Sequence, residues 1–148
     1  MSIREDIIGA LATKLATITT GNGYEQTIES VYDYPTHFES IDGSGFPAVS
    51  IFMGSTLLEY KLGGATQDTS FNIGLRVYVE GSDEDSIRES ANKAVEDINK
   101  LIFNNITLGN STVIKTEVTT VEPPFIWLEL GNIGLVDIQL NVLYRRNY

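Results

Sequence analysis

The sequence predicts an α+β fold in which two amphipathic helices pack on one face of a mostly antiparallel sheet. The first indication is a strict alternation of apolar and polar residues from Thr69 to Val79, which is typical of a half-buried strand. The second is the spacing of apolar residues at three and four positions in two other segments, which is typical of helices. The third is the order of elements, because strands joined by short turns favour antiparallel pairing.

The first element is predicted to be a helix from Ser2 to Thr20. Ser2 and Glu5 have the spacing of a capping box. Gly21 and Gly23 provide a stop, since glycine adopts left-handed backbone angles at little cost. One face of this helix carries an apolar stripe made of Ile3, Ile7, Ile8, Leu11, Leu15 and Ile18.

Three strands are expected between this helix and the long alternating strand. Thr27 to Tyr34 reads as a strand that ends before a proline, and Phe46 to Met53 reads as a second with its proline near the start. Thr56 to Leu62 alternates weakly and reads as a third. The segment from Lys61 to Gln67 is then expected to form a hairpin loop.

The long strand and the helix after it are expected to form the centre of the core. Gly81 ends the strand, and Ser82 is expected to cap a helix whose acidic first turn complements the helix dipole. The apolar face of the strand consists of Phe71, Ile73, Leu75, Val77 and Val79. We expect it to be buried against Ile3, Ile7, Leu11, Leu15, Val95, Ile98 and Leu101.

The rest of the chain is expected to return as strands. Ser111 to Val121 is rich in threonine and valine, two adjacent prolines follow, and Phe125 to Leu130 is short and apolar. The last strand, Ile133 to Tyr144, has an apolar face made of Val136, Ile138, Leu140, Val142 and Tyr144. Without an internal repeat or a linker, residues 1–148 are expected to form a single domain.

Composition excludes several classes of function. The 20 acidic and 10 basic residues give a net charge of −10, which disfavours binding to nucleic-acid phosphates. The absence of cysteine excludes disulfides and thiolate sites. The acidic start at Glu5 and Asp6 does not resemble a signal peptide, and no apolar stretch reaches the ~18 residues of a membrane span. We expect no membrane partner, and a chain that is made or assembled in a cytoplasm.

The sequence predicts no catalytic residue, no metal and no cofactor. His37, the single histidine, lies in a predicted turn, where a solvent-facing position is expected. The acidic run from Ser82 to Asp85 does not have the alternating spacing of a calcium loop and reads as a helix start. The paired glycines lack the lysine of a phosphate-binding loop and read as turns. We therefore expect a protein that is not an enzyme.

The arrangement resembles the tail terminator family of tailed bacteriophages, also described as tail completion or minor tail proteins. The resemblance rests on the capped helix from Ser2, the strand from Phe46 to Phe52, and the long strand that leads into the helix ending at Phe103. The segment from Asn105 to Asn110 and a last strand closing at Arg145 complete it. The family implies an α+β fold, no catalysis, and a hexameric ring that caps the tail tube and joins the tail to the head.

The resemblance also implies partners. They are other copies of the chain, the tail tube protein and the head–tail connector proteins, with DNA passing through the channel without sequence-specific binding. An acidic lining would suit that passage, because carboxylates repel phosphates. The same resemblance places the protein in the tail of the virion.

Several residues are expected at the subunit or tube interface. Basic side chains would meet acidic groups of the next subunit, since arginine forms paired hydrogen bonds with carboxylates. A glycine-containing loop would become ordered on assembly. Trp127 is expected to be a core or edge residue, with an interface role as the alternative. The full set is Lys61, Leu62, Gly63, Gly64, Arg76, Arg88, Trp127, Arg145 and Arg146.

Other functions stay open from the residues alone. Within the same class, a head–tail connector or neck protein of similar size is the alternative. Outside it, the alternatives are a monomeric ligand-binding domain or a small acid-dependent hydrolase. A stable monomer with an enclosed pocket would favour the last two, whereas a ring would favour the structural role.

Overall fold

Two helices and six strands make up the part of the chain that the computed structural model describes. That part comprises residues 2–41, 45–60, 66–127 and 132–147, with residues 57–60, 127 and 147 described by their backbone. The helices are α1 (Ile3–Leu15) and α2 (Glu84–Asn104). The strands are β1 (Ser30–Tyr32), β2 (Ala48–Tyr60), β3 (Thr66–Glu80), β4 (Val113–Val121), β5 (Phe125–Trp127) and β6 (Ile133–Asn147).

The strands form one sheet in the order β1-β2-β3-β6-β4, and β5 also pairs with β6. The β1–β2 pair is parallel and the other pairs are antiparallel, which confirms the predicted α+β class and the mostly antiparallel sheet. Because β4 pairs with β6 near Tyr144 and β5 pairs with it near Ile133, the two short strands follow one another along the same edge.

Strands β3 and β6 form the longest ladder of the sheet. Their pairing runs from Thr66 opposite Asn147 to Glu80 opposite Ile133 without a shift in register. The flanking strands are less regular: β2 has a shift between Met53 and Thr56, and β4 has two shifts along its length. The central ladder therefore sets the register that the outer strands adapt to.

Both helices pack on the same face of the sheet. The predicted apolar faces of β3 and β6 are buried, and they form one cluster with α1, α2 and the inward residues of β2. Of the residues predicted to cover β3, Ile3 and Val95 are partly buried and the others are buried. This core matches the expectation, since period-two strands and helical stripes each expose one apolar surface that needs a partner.

Helix α1 is shorter than predicted. Its capping box at Ser2 and Glu5 is present, but the helix ends at Leu15 rather than at Thr20. The Thr17 hydroxyl donates to the Lys14 carbonyl at 2.6 Å, and Thr19 caps a separate short turn over Thr20–Asn22. Threonine side chains compete in this way for backbone groups, and they end the helix before the glycines do.

The N-cap of α2 lies one residue later than predicted. Asp83, not Ser82, is the N-cap: its carboxylate accepts from the Ser86 backbone N–H at 2.8 Å, and the Ser86 hydroxyl accepts from the Asp83 N–H at 3.1 Å. This reciprocal pair satisfies two backbone donors at the helix start. It also lowers the pKa of Asp83, because the hydrogen bond from the Ser86 N–H favours the charged form.

The strands also differ from the prediction in their limits. Two strands were predicted between Phe46 and Leu62, but the structure has one strand there, β2. The predicted gap between them coincides with the register shift between Met53 and Thr56. The predicted strand from Thr27 to Tyr34 is reduced to three residues. Thr66 and Gln67, predicted in a loop, begin β3.

Candidate functional site

The face of the sheet opposite the helices carries polar pairs that join β3 to β6. Arg76 and Asp137 lie opposite each other and share two hydrogen bonds, of 2.8 Å and 2.9 Å. The Asn141 amide donates to the Asn72 side-chain oxygen at 3.0 Å. We call this surface the open face, because α1 and α2 both pack on the other side. The alternation along β3 and β6 places all of these polar residues on one surface.

Arg76 lies at the centre of the open face, beside a shallow pocket of about 140 Å³. Its guanidinium lies 5.5 Å from the centre of the Phe52 ring, and Gly74 and Gln139 complete the pocket wall. The hydrogen bonds to the Asp137 carboxylate raise the pKa of Arg76, so its guanidinium stays protonated. The charges of this pair are therefore directed at each other within the same chain.

A second paired arginine lies at the far end of the open face. Arg145 Nε donates to Asp68 Oδ1 at 2.8 Å, and its Nη2 donates to Oδ2 at 3.3 Å. The hydrogen bond to Asp68 raises the pKa of Arg145. Together with the Arg76 pair, this contact joins β3 to β6 at two places along the polar side of the ladder.

The structure locates part of the predicted interface set. Arg76, Arg88 and Arg145 each contact carboxylates of their own chain; Arg88 does so with Glu84 at 2.7 Å and with Asp85 at 3.0 Å. Arg146 lies on β6 opposite Gln67, and the backbone of Trp127 lies on β5 opposite Ile133. Lys61, Leu62, Gly63 and Gly64 lie outside the described residues. Contact of this set with a neighbouring subunit stays a prediction.

One end of the open face is covered by the segment that follows β1. The Thr36 N–H donates to the Ser50 hydroxyl at 2.9 Å, the Ser50 hydroxyl donates to the Tyr34 carbonyl at 3.0 Å, and the Tyr78 hydroxyl donates to the Thr36 carbonyl at 2.9 Å. Burial raises the pKa of Tyr78. These bonds hold a second small apolar cluster of Phe38, Ile41, Ala48, Tyr78, Ile133 and Leu135.

Exposed apolar side chains mark the two edges of the sheet. Among residues whose side chains are described, seven large apolar side chains are exposed. Tyr34 and Met53 lie at the β1–β2 edge. The other five lie on or beside the β4–β5 edge, and they are Phe103, Ile106, Ile114, Val121 and Phe125. Apolar side chains concentrated in this way are a feature of surfaces that contact other proteins.

A groove lies beside each edge. The α1/β2 groove, of about 410 Å³, is lined by Glu5, Ile8, Gly9, Asp33 and Met53. The α2/β4 groove, of about 340 Å³, is lined by Asn99, Ile102, Phe103, Ile106 and Lys115 to Val118. Each groove lies between a helix and an outer part of the sheet, so the chain has two unlike recesses at opposite edges of the sheet.

These exposed edge residues were not predicted from the sequence, although one of them, Phe103, has a recognisable sequence signal. Phe103 follows Ile102 directly, so it projects about 100° away from this last buried residue of α2 and off its apolar stripe. It is 82% exposed. A phenylalanine outside the apolar stripe of a helix is a sequence signal of an exposed hydrophobic group.

His37, the single histidine, makes local contacts next to a short turn. The His37 Nδ1 accepts from the Glu39 N–H at 3.3 Å, and the imidazole lies 4.4 Å from the Phe38 ring, between centroids. In the described part of the chain, no three acidic or histidine side chains are grouped as metal ligands. No described helix is long and apolar enough to cross a membrane.

Comparison with known proteins identifies both the family and a similar fold. Residues 1–126 match the family model described as Bacteriophage Tail Tube Terminator Protein. No curated protein matches the chain significantly. A chain in the virion of a native gene transfer agent particle is similar in structure, with a TM-score of 0.58, 8% sequence identity and 95% of each chain covered. At that identity, the likeness concerns the fold.

The family match covers both helices, β1 to β4 and most of β5, which include the two grooves. It agrees with the resemblance noted from the capped helix, the long central strand and the helix that follows it. This chain belongs to the bacteriophage tail tube terminator protein family, and it is a structural protein of the phage virion tail.

Proposed function

We propose that copies of this chain form a ring that caps the tail tube, ends its growth and provides the surface to which the head is joined. The observation that carries the proposal is the family match over residues 1–126. The partners are further copies of the chain, the tube protein and the head–tail connector proteins. By the same family resemblance, the ring contains six copies.

The shape of the subunit supports side-by-side assembly. Its two edges are unlike each other, and each carries exposed apolar side chains and a groove. Contacts between unlike surfaces continue from one copy to the next, and they close into a ring when the rotation between copies closes. A subunit with one self-complementary patch would instead stop at a dimer.

The charge of the chain supports passage of DNA through the ring. The net charge of −10 supplies carboxylates for a channel lining, which repel phosphates and do not retain DNA. Pairing of Arg76, Arg88 and Arg145 with carboxylates reduces the positive potential that these side chains present to a passing strand. The protein is proposed to have no sequence-specific contact with DNA.

Imaging of tails assembled with and without this protein tests the function. With the protein, tubes are expected to stop at uniform length, to carry a ring at one end and to join heads. Without it, tubes are expected to vary in length and to stay unjoined. Tubes of normal length that join heads without the protein would contradict the role. Binding to the connector of isolated heads, with no binding to tubes, would indicate a neck protein instead.

The paired Arg145→Glu and Arg146→Glu variant tests the predicted arginine contacts. We expect it to weaken ring assembly while the isolated subunit stays folded, as checked by circular dichroism. The matched control is Lys93→Glu with Lys100→Glu, which places a charge change of the same size on α2 at two residues outside the predicted interface set. Unchanged assembly of the paired variant would exclude these arginines from the contact without excluding the ring.

A further inference from the structure

The two edges of the subunit differ in shape in a complementary way. Beside β4, the ring of Phe103 projects from the end of α2 with 82% of its surface exposed. Beside β2, the α1/β2 groove offers an open recess. We propose that Phe103 of one copy inserts into the α1/β2 groove of the next copy. The contact rests on the ring proposed above and identifies the surfaces that build it.

Phe103 has the properties of an interface anchor. Its neighbours Leu101 and Ile102 are buried, whereas Phe103 and nearby Ile106 face solvent. A phenylalanine ring gains considerable free energy when it is removed from water, and it loses little conformational freedom on binding. Such a side chain on a rigid helix is suited to filling a preformed recess in a partner.

Gly9 leaves the α1/β2 groove open at its centre. It lies in the middle of α1, on the exposed side, where glycine is a poor helix former. A Cβ placed there would meet no described atom within 4 Å beyond its own helix, so packing within the subunit does not require glycine. Close approach of another chain is a physical reason for glycine at such a position. Ile8 and Met53 provide the apolar walls for an inserted ring.

The charges around the two surfaces differ. Glu5 and Asp33 line the α1/β2 groove, whereas the α2/β4 groove beside Phe103 carries Lys115 and Glu117, which form an ion pair at 3.1 Å. Docking Phe103 into the α1/β2 groove of a second copy brings Lys115, the one basic side chain among the described residues that line either groove, towards Glu5 and Asp33. Opposite charges at the rim of an interface favour the correct encounter over others.

The irregular edges favour side-chain docking over extension of the sheet. Register shifts in β2 and β4 interrupt the regular spacing that a neighbouring strand needs for pairing. Contact through projecting side chains needs no such regular strand edge.

Engineered disulfides between copies test the contact, and the absence of native cysteine gives a clean background. The variant Met53→Cys with Ile106→Cys places one thiol at each proposed surface. Oxidised with diamide in the presence of purified tail tubes, it is expected to give a ladder of covalent oligomers. The matched control, Met53→Cys with Ser70→Cys, places the second thiol on the open face and is expected to give at least tenfold less product.

Two further variants block each side of the contact separately. Gly9→Leu fills the groove and Phe103→Glu removes the ring; both are expected to keep the melting temperature of the parent within a few degrees. Each alone is expected to reduce ring formation on tubes at least tenfold. Gly9→Leu keeps an intact Phe103, and Phe103→Glu keeps an intact groove. When the two variants are mixed, one contact can form, and light scattering is expected to show a dimer.

The outcomes separate this contact from the proposed function. If the wild type forms rings on tubes but Gly9→Leu and Phe103→Glu also do, the contact is wrong and the ring stands. If Gly9→Leu loses binding to tubes and no covalent ladder forms between copies, the groove binds the tube protein, which overturns the contact. If the wild type neither binds tubes nor associates, both the contact and the proposed function are overturned.

Discussion

Arg76 and Asp137 occupy directly opposed positions on β3 and β6 and share two hydrogen bonds, from Nε to Oδ1 at 2.8 Å and from Nη2 to Oδ2 at 2.9 Å. A slip of one residue between these strands would turn one of the two side chains into the apolar core. The pair therefore selects the same register as the buried faces of the two strands. The polar side and the apolar side of the sheet therefore specify the same alignment of β3 with β6.

The Arg76–Asp137 pair is expected to have a measurable coupling energy. The two side chains are 38% and 29% exposed, so solvent screens their attraction but does not abolish it. A double-mutant cycle with Arg76→Ala and Asp137→Ala, measured by urea unfolding, should give a favourable coupling of about 1 kcal/mol. The exposed helical pair of Arg88 and Glu84 is the comparison, with about 0.3–0.5 kcal/mol expected. Equal coupling in both pairs would contradict the argument.

The core prediction concerns Leu75, which is 1% exposed on β3. Leu75→Ala should lower the free energy of unfolding by about 2–5 kcal/mol, because the helices above it can fill the resulting cavity only in part. Ile114, exposed on β4, is the control: Ile114→Ala should change stability by about 0.5 kcal/mol or less. Thermal unfolding of both variants gives the comparison, and an unchanged transition for Leu75→Ala would exclude its burial.

Asp97 is expected to fix the loop that follows α1. Its buried carboxylate accepts the backbone N–H groups of Glu25 and Gln26, each at 2.9 Å. In Asp97→Asn, one side-chain oxygen can still accept a backbone N–H, but the NH₂ group faces the other N–H and cannot accept it. The free energy of unfolding should therefore fall by about 1–3 kcal/mol. Glu96→Gln, the neighbouring exposed position, is the matched control. Chemical denaturation of both is the measurement, and equal stability would contradict the proposed restraint.

Acid should destabilise the chain partly through Asp83. The pKa of Asp83 is lowered in the folded state, so its contribution is complete above the unfolded value of about 3.9 and is lost as pH falls through the folded pKa. Asp83→Asn retains a capping oxygen but does not titrate. Its urea midpoint should therefore fall less than that of the wild type between pH 5 and pH 2. Parallel pH dependence of the two proteins would exclude this contribution.

The elements specified by local pattern were predictable from the sequence. The alternation in β3 and β6 and the apolar stripes of the helices predict the core at the level of single side chains. The end of α1 was missed because three threonines after Ala16 compete with glycine as a stop signal. The N-cap at Asp83 was missed because Ser82 and Asp83 are both suitable caps, and only packing selects between them.

The candidate assembly surfaces depend on contacts between distant segments, which local patterns do not specify. The α1/β2 groove joins Gly9 to Met53, and the α2/β4 groove joins Phe103 to Thr116. Neither neighbourhood can be read from spacing along the chain. The arginines that charge alone suggested as interface residues are found with carboxylates of the same chain, at positions where strand register or helix spacing brings opposite charges together.

The uninterrupted pairing of β3 with β6 has a mechanical consequence. A tensile load that pulls these two antiparallel strands apart along their length acts on the whole set of their hydrogen bonds at once, as shear. A load applied to β1 is resisted by only three residue pairs. A load applied to β4 acts on a ladder that is interrupted by two register shifts, whereas the β3–β6 ladder has none. Under tension the fold should therefore yield first at the edges of its sheet, while the β3–β6 pair carries force from one end of the sheet to the other.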